Sequence, residues 1–597
     1  MPFPWESKQR LTDKELLEIV DDDEFFAEFD LDEDNNVQTD VESDAESGNE
    51  DQNEHVFISQ TNNSEQREPK DLCEEVESEP TQEIEGNETE DPIREEPART
   101  WQKVERSTTI LPEYQPGSWE ETYFRDCITA TDVFVKLLGN VIPDITFQTN
   151  LYGTQNNKTL NITQNEMLAF IGLNFLMGYH VLPNLESYWS SADDLKLEIV
   201  PETMSRNRFQ TILANLHLND NALIPNNNTD KLYKVRPFVD SLNVVFSNYV
   251  GEQKMCVDES IVKFKGRSSI KQYNPMKPVK RGFKFWMLSD MSGFVKKFEI
   301  YQGKNEKVNE NFKDFNLGER IVLELTQQDW NKGKVLYFDN FFTTVRLLEK
   351  LKLENTLACG TIRSNRKGLP KGMIIDKNLK RGDFDHKTSN TGITFFKWKD
   401  NKVVTLASNF HGTKSVPIKR KLRDGTISYI PGPEIVYDYN KFMGGVDYHD
   451  QLRQCYGIDR RSKKWWHRIF WGCLEIAFIN AFVVYKKIRE EPITVLAFRR
   501  EVTLGLCSRS PKREQVKRKS VASGPASKKR RYNYSVSDEI RLGNRGNHWP
   551  QFVDRRGRCE MCSAQGIQSK PHSTCSLCGV FLCVNEKKNC FVQYHNI

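Results

Sequence analysis

Two apolar, strand-like runs carry an aspartate where a strand would end: Met255-Cys256-Val257-Asp258-Glu259-Ser260 and Val335-Leu336-Tyr337-Phe338-Asp339-Asn340. A further pair, Asp447 and Asp450, follows the Gly444-Gly445 turn. Taken singly, an aspartate after a strand is usually a turn or cap residue. Several on suitable elements, far apart in sequence, narrow the choice of fold. A sheet that gathers them creates a cluster of hard oxygen ligands, the kind that holds divalent ions for phosphoryl transfer.

The elements between these aspartates supply such a sheet. Period-two and apolar runs predict strands over residues 254–264, 283–288 and 294–301, the last two joined by a turn at 290–293. A helix over 319–327, a short buried strand over 334–338, a helix over 343–353 and a strand over 357–362 follow. Strand, strand, strand, helix, strand, helix, strand is the order of an RNase H-like sheet. In that fold the first and fourth strands are neighbours, so Asp258 and Asp339 would meet across 81 residues of sequence. The third carboxylate would come from a later helix that Asp447 begins.

Flanking segments divide the rest. Residues 1–112 are polar, acidic and without sustained periodicity, and are expected to be disordered, apart from a short amphipathic stretch at 11–20 that Thr12 could cap. Residues 113–252 are helical in pattern, most clearly at 166–177 and 205–216. Residues 253–362 hold the sheet, 363–431 are turn-rich with β-like pieces and are expected to form an inserted subdomain, and 432–457 return to the sheet with Asp447 and Asp450. Residues 458–507 are helical again, 508–545 form a basic linker, and 546–597 are cysteine-rich.

Charge is distributed unevenly. Residues 1–100 carry 34 acidic against 7 basic side chains, a net of −27, so the remainder of the 597 residues nets +27 within a formal total of zero. A basic body suggests a nucleic-acid partner, with an acidic segment that either competes for the same surface or is simply solvated. Lys517, Arg518 and Lys519, then Lys528, Lys529, Arg530 and Arg531, flank eight small or polar residues, the spacing of a bipartite nuclear-localisation signal; the plainer reading is a phosphate-binding linker. The start of the chain shows no secretory signal, and the longest apolar stretch, residues 469–485, is broken by Gly472, Glu475 and Asn480, as a buried helix would be. These features point to a nuclear protein with no membrane span.

Six of the 13 cysteines fall between Cys559 and Cys590. Cys559-x2-Cys562 and Cys575-x2-Cys578 have the spacing of zinc ligands, and Cys583, Cys590 and His595 extend the set to seven. Two tetrahedral sites need eight. His548 and His572 are the candidates for the last. An interleaved cross-brace would group Cys559 and Cys562 with Cys583 and that eighth ligand, and Cys575 and Cys578 with Cys590 and His595. Both Zn²⁺ ions would be structural, since no ligand position is left open.

The motifs around the aspartates resemble the signature blocks of the piggyBac family of DNA transposases: Val257-Asp258-Glu259-Ser260 with Phe264-Lys265-Gly266-Arg267, Lys277-Pro278 with Lys280-Arg281-Gly282-Phe283-Lys284-Phe285-Trp286, Phe338-Asp339-Asn340-Phe341-Phe342-Thr343, Gly360-Thr361-Ile362-Arg363, Met443-Gly444-Gly445-Val446-Asp447-Tyr448-His449-Asp450 and Lys464-Trp465-Trp466. Lys263 departs from the pattern, where the family more usually has proline. The resemblance implies a multidomain α/β protein: an RNase H-like catalytic core (253–362 and 432–457) with a β-rich insertion, a helical DNA-binding and dimerisation domain split around it (113–252 and 458–507), and a C-terminal zinc domain that recognises transposon ends. It makes Asp258, Asp339 and Asp447 ligands of two catalytic Mg²⁺ or Mn²⁺ ions, with Asp450 a supporting acid. It also makes His548 the eighth zinc ligand. The implied activity is cut-and-paste transposition into TTAA sites by a homodimer acting on double-stranded DNA. The alternative is a domesticated, transposase-derived nuclear protein that binds DNA or chromatin without strand transfer. Arg460, Arg461, Lys463, Lys464 and Trp465 are the expected phosphate-gripping and base-stacking residues, whereas Trp466 reads as core and His449 as an ordinary helix residue.

Overall fold

Alternation along Lys254–Lys263 sets the two faces of the central sheet. Met255 and Val257 point to one side, and Cys256, Asp258 and Ser260 to the other. The computed structural model describes residues 99–275, 277–303, 309–421, 426–458, 462, 464–489, 492–510, 534–543 and 546–596, in two units divided at residue 514.

The strands of the first unit are β1 (Trp101–Gln102), β2 (Lys254–Lys263), β3 (Lys271–Tyr273), β4 (Arg281–Asp290), β5 (Val295–Ile300), β6 (Val335–Phe338), β7 (Leu357–Thr361), β8 (Phe384–Ser389), β9 (Thr394–Lys399), β10 (Val403–Ser408), β11 (Ser415–Lys421) and β12 (Ile427–Pro433). Its helices are α1 (Trp119–Tyr123), α2 (Ala130–Leu138), α3 (Val141–Gln155), α4 (Gln164–Tyr179), α5 (Ile199–Thr203), α6 (Arg206–Asn215), α7 (Arg236–Phe246), α8 (Leu317–Thr326), α9 (Val345–Leu353), α10 (Glu434–Phe442), α11 (Gly445–Cys455), α12 (Trp466–Arg489) and α13 (Val495–Cys507). Threonine or serine caps open several helices where the sequence changes register: Thr163 for α4, Ser205 for α6 and Thr344 for α9 each accept a hydrogen bond from a first-turn N–H.

The sheet runs β1-β8-β9-β10-β7-β6-β2-β4-β3, with β5 also on β4. Strands β2, β4 and β5 are antiparallel, β6 joins β2 in parallel, and β7 joins β6 in parallel. One face, with Val257, Leu336 and Phe338, packs on α8 and α9 through Ile321, Leu325, Leu347 and Leu351. The other face, with Cys256, Met287 and Tyr337, joins the larger core of α2, α4, α11 and α12.

Residues 363–431 do not form a separate β subdomain. Strands β8, β9 and β10 extend the central sheet from β7, and only β11 and β12 pair by themselves. The expected start of the fold at residue 113 is also corrected. Residues 99–114 are strapped to the sheet: Arg99 makes a bidentate pair with Glu349, its Nε and Nη2 donating at 2.9 and 2.8 Å, β1 pairs with β8, and the Tyr114 hydroxyl donates to the Gly251 carbonyl at 2.7 Å. The arm is held mainly by polar side chains and backbone, and its apolar contacts, Trp101 and Leu111, lie too far apart to make a periodic pattern. Residues 1–98, including the amphipathic stretch, lie outside the described residues.

Among the described residues α12 is the one helix long and apolar enough to cross a membrane, and protein covers 89% of its most apolar window. Its polar residues have partners inside the core. Asn480 accepts from the Val295 N–H and donates to the Val295 carbonyl, both at 2.8 Å. Glu475 pairs with Arg499 of α13, whose Nη1 donates at 3.0 Å, and both side chains are buried. Removing one member of such a pair strands the other charge in a low-dielectric core, at a cost of about 3–5 kcal/mol. Arg499→Met is therefore expected to lower the denaturation midpoint strongly, whereas Arg499→Met with Glu475→Leu should recover much of the loss in a urea titration.

The second unit contains α14 (Asp538–Leu542), β13 (Pro550–Phe552), α15 (Glu560–Ala564), β14 (Ser573–Cys575), the hairpin β15 (Val584–Asn585) and β16 (Lys588–Asn589), and α16 (Cys590–Asn596). Its core is small: Met561, Leu582, Tyr594 and the buried cysteines.

Candidate active site and metal centres

The register of β2 on β6 brings the first two aspartates together. The ladder ends with Cys256 beside Tyr337 and Val257 beside Phe338, so Asp258 and Asp339 are the next residues on adjacent parallel strands. By alternation both follow Cys256 and Tyr337 toward the face covered by α11. A β-carbon at Gly445 would lie 2.9 Å from the Cys256 Sγ and 2.4 Å from the Asp290 carbonyl, so only glycine lets the first turn of α11 settle there. Asp447 is in that first turn.

Asp258 is buried, and its carboxyl is pushed well above the usual carboxylate range by burial; Lys277 opposes the shift, and the nearby Asp447 and Asp339 add to it. Asp339 and Asp447 are half-buried. The Asp339 Oδ1 accepts the Phe341 N–H at 2.9 Å, closing the turn that leads into α9. On β2 the next residue faces the other way: Glu259 binds Lys284 at 2.7 Å and, although burial opposes it, Lys284 and Lys277 hold its carboxyl below the usual range.

Asp450 sits one helical turn beyond Asp447 and meets Ser260, two residues beyond Asp258 on the strand. The Ser260 hydroxyl donates to the Asp450 Oδ1 at 2.7 Å. The buried Arg453 donates from Nη2 to the same oxygen and to the Ser260 Oγ, both at 2.9 Å. Three residues of helix against two of strand thus fix the register of α11 on β2. Sequence reasoning missed Ser260 and Arg453, whose residue types are too common to stand out. Lys277 stands in one of the sequence motifs but carried no expected role there, although residues 260–289 carry eight cations and no acid.

The other expected contacts divide. Trp466 is buried, as a core residue, and Trp465 is half-buried against Phe283 at 6.0 Å between rings. Lys464 donates to the Ala214 carbonyl at 2.8 Å. His449 is buried, its Nδ1 lies 2.7 Å from the Gly293 carbonyl, and burial lowers its pKa to about 4, so it is a neutral helix residue. Arg460, Arg461, Lys463 and the basic clusters at Lys517, Arg518, Lys519, Lys528, Lys529, Arg530 and Arg531 lie outside the described residues.

In the second unit two four-ligand clusters form: Cys559, Cys562, Cys583 and Cys590, and His548, Cys575, Cys578 and His595, with ligand atoms within 4.8 Å of one another in each. The eight residues are those expected, with His548 rather than His572, whose Nε2 instead accepts from Arg556 at 2.7 Å. The grouping differs, because His548 and Cys590 exchange places. The β15–β16 hairpin returns Cys590 to Cys583, whose carbonyl accepts the Cys590 N–H at 2.9 Å. Pairing of Pro550 with Cys575 carries His548 to the other cluster.

These distances suit zinc. The Cys562 Sγ lies 3.9 Å from Cys583 and 3.7 Å from Cys590, against about 3.8 Å between sulfurs around a tetrahedral Zn²⁺ with ordinary Zn–S bonds. His548 Nδ1 is 3.3 Å from Cys575 while its Nε2 donates to the Gly543 carbonyl at 2.9 Å; His595 Nε2 is 3.5 Å from Cys578 while its Nδ1 donates to Phe591 at 2.8 Å. Such backbone bonds orient a ligating imidazole.

A family profile described as Transposase IS4 matches residues 129–482, a stretch that contains all four aspartates. The chain is 33% identical over 396 residues to PiggyBac transposable element-derived protein 3 of Homo sapiens, covering 64% of this chain and 65% of that one. It therefore spans just under two thirds of that relative's length. PiggyBac transposable element-derived protein 2 of Homo sapiens is 26% identical over 489 residues, covering 79% of this chain and 78% of its own. Among solved structures, a cryo-EM piggyBac transposase synaptic complex with hairpin DNA matches with a TM-score of 0.57 at 20% identity, over 77% of this chain and 98% of that one, a likeness of fold.

Proposed function

The chain belongs to the piggyBac transposable element-derived family and carries an IS4-type DDE transposase domain, and from that premise we propose that it is a DNA transposase. It cuts an element out of duplex DNA by metal-dependent hydrolysis and joins the freed 3′-hydroxyls to a TTAA target. The observation that carries this reading is the meeting of Asp258 with Asp339 at the end of the β2–β6 ladder, under the helix turn that bears Asp447.

The donor set fits a hard divalent ion. It is made of carboxylate oxygens, and burial together with the other two acids disfavours the ionised form of Asp258 unless a cation compensates. Two Mg²⁺ or Mn²⁺ ions held there would supply activation of the attacking oxygen and stabilisation of the leaving oxygen. Asp258, Asp339 and Asp447 would hold them. Asp450 acts with Ser260 and Arg453 to keep α11 seated, and the acid-free stretch beside the site, with Lys263, Lys265, Arg267, Lys271, Lys280 and Arg281, offers cations to the DNA backbone. The central β5-β4-β2-β6-β7 order supports an RNase H-like core. Both zinc clusters are structural, the C-terminal unit reads transposon ends, the bipartite basic segment directs the chain to the nucleus, and a homodimer holds the two ends.

The test is excision in cells from a reporter bearing the element ends found beside this gene, with wild type and Asp258→Ala in parallel. Precise TTAA repair with the wild type alone is the expected result. No excision, with retained binding to those ends, would replace this reading with that of a domesticated DNA-binding protein.

A further inference from the structure

The β11–β12 ribbon has one face anchored and one face open. Inward, Ile418 and Ile430 are a cross-strand pair packed near the buried Trp398, whose Nε1 donates to the Pro431 carbonyl at 2.9 Å. Gly432 leaves room for that indole, since a β-carbon there would come within 3.0 Å of the Nε1. Arg420 is tied to Asp400 at 3.0 Å, and Asp400 also accepts from Arg381 at 2.8 Å. The ribbon is therefore fixed to the end of β9 and β10.

Outward, beyond Ser415 with Pro433 at the base, alternation presents the cross-strand pairs Pro417 with Pro431, Lys419 with Tyr429, and Lys421 with Ile427. Tyr429 is 64% and Ile427 53% exposed. Unlike Arg420 on the inner face, Lys419 and Lys421 enter no ion pair among the described residues. Residues 414–421 carry four cations and no acid. A two-stranded ribbon is of a width that the major groove of B-DNA admits, its cations can meet phosphates, and apolar side chains can contact thymine methyl groups.

We infer that this outward face is a duplex-DNA contact, with Lys419 and Lys421 on the backbone and Tyr429 and Ile427 toward the groove floor. The inference rests on the DNA-handling function proposed above and adds a contact separate from the carboxylate site. Neutralising two phosphate contacts should reduce the slope of log affinity against log salt by about 2.

The experiment is fluorescence anisotropy of the full chain with a random-sequence 30-bp duplex, at about five salt concentrations, for wild type, Lys419→Gln with Lys421→Gln, and Tyr429→Ala. Thermal unfolding shows that each variant is folded; should the double variant fail to fold, Lys421→Gln alone replaces it and the expected slope change is about 1. A shallower slope for the lysine variant and weaker binding for Tyr429→Ala are expected. Wild-type binding with unchanged variants would overturn the ribbon contact, as it would if a protein occupied this face, and leave the proposed function standing. A wild type that binds no duplex even at the lowest salt would overturn both.

Discussion

Alanine at Asp339 is expected to reduce excision by on the order of 10³-fold or more, a loss of about 4 kcal/mol or more of transition-state stabilisation, while affinity for the element ends changes little. By strand alternation the side chain lies on the same face as Asp258, and its Oδ1 accepts the Phe341 N–H. Alanine also removes that bond, worth about 1 kcal/mol of stability. Asp339→Asn separates the two effects, because the amide oxygen still accepts from Phe341 but no longer offers a full anionic ligand. Both variants should fail in a strand-cleavage assay, and asparagine should melt with the wild type. Cleavage by either at the wild-type rate would remove Asp339 from the proposed site.

Withdrawing metal from the C-terminal unit should unfold it. Structural zinc contributes about 10–16 kcal/mol per site in small peptides, whereas the apolar core here is little more than Met561, Leu582 and Tyr594 among the ligands themselves. Native mass spectrometry of the full chain should find two zinc ions, and chelation should abolish amide-exchange protection across residues 546–596. Cobalt substitution tests the grouping. Cys590→Ser should perturb the all-sulfur site and His548→Ala the mixed one. Two spectroscopically alike sites of three cysteines and one histidine, one perturbed by each variant, would restore the pairing expected from the sequence.

The strands that carry Asp258 and Asp339 were legible because their apolar runs are local and their aspartates fall at the ends. Asp258 and Asp339 needed only strand order to be placed as neighbours. What could not be read depends on partners distant in sequence. Whether β8 to β10 stand apart or join β7 is decided by a ladder between residues 359–361 and 406–408, and either arrangement has the same hydrophobic pattern. The exchange of His548 with Cys590 follows from a short hairpin that ligand spacing does not encode. Ser260 and Arg453 gain meaning only when α11 lies on β2.

The strap at residues 99–114 bears on where the polypeptide can be shortened. Its two-residue strand covers part of β8, the last long strand on that side of the sheet. A chain begun at residue 113 would leave that margin with open N–H and C=O groups, a template on which other molecules can add strands. Truncation to the segment that carries the helices and aspartates would therefore trade a tethered arm for a tendency to self-associate, and solubility would be lost before any chemistry.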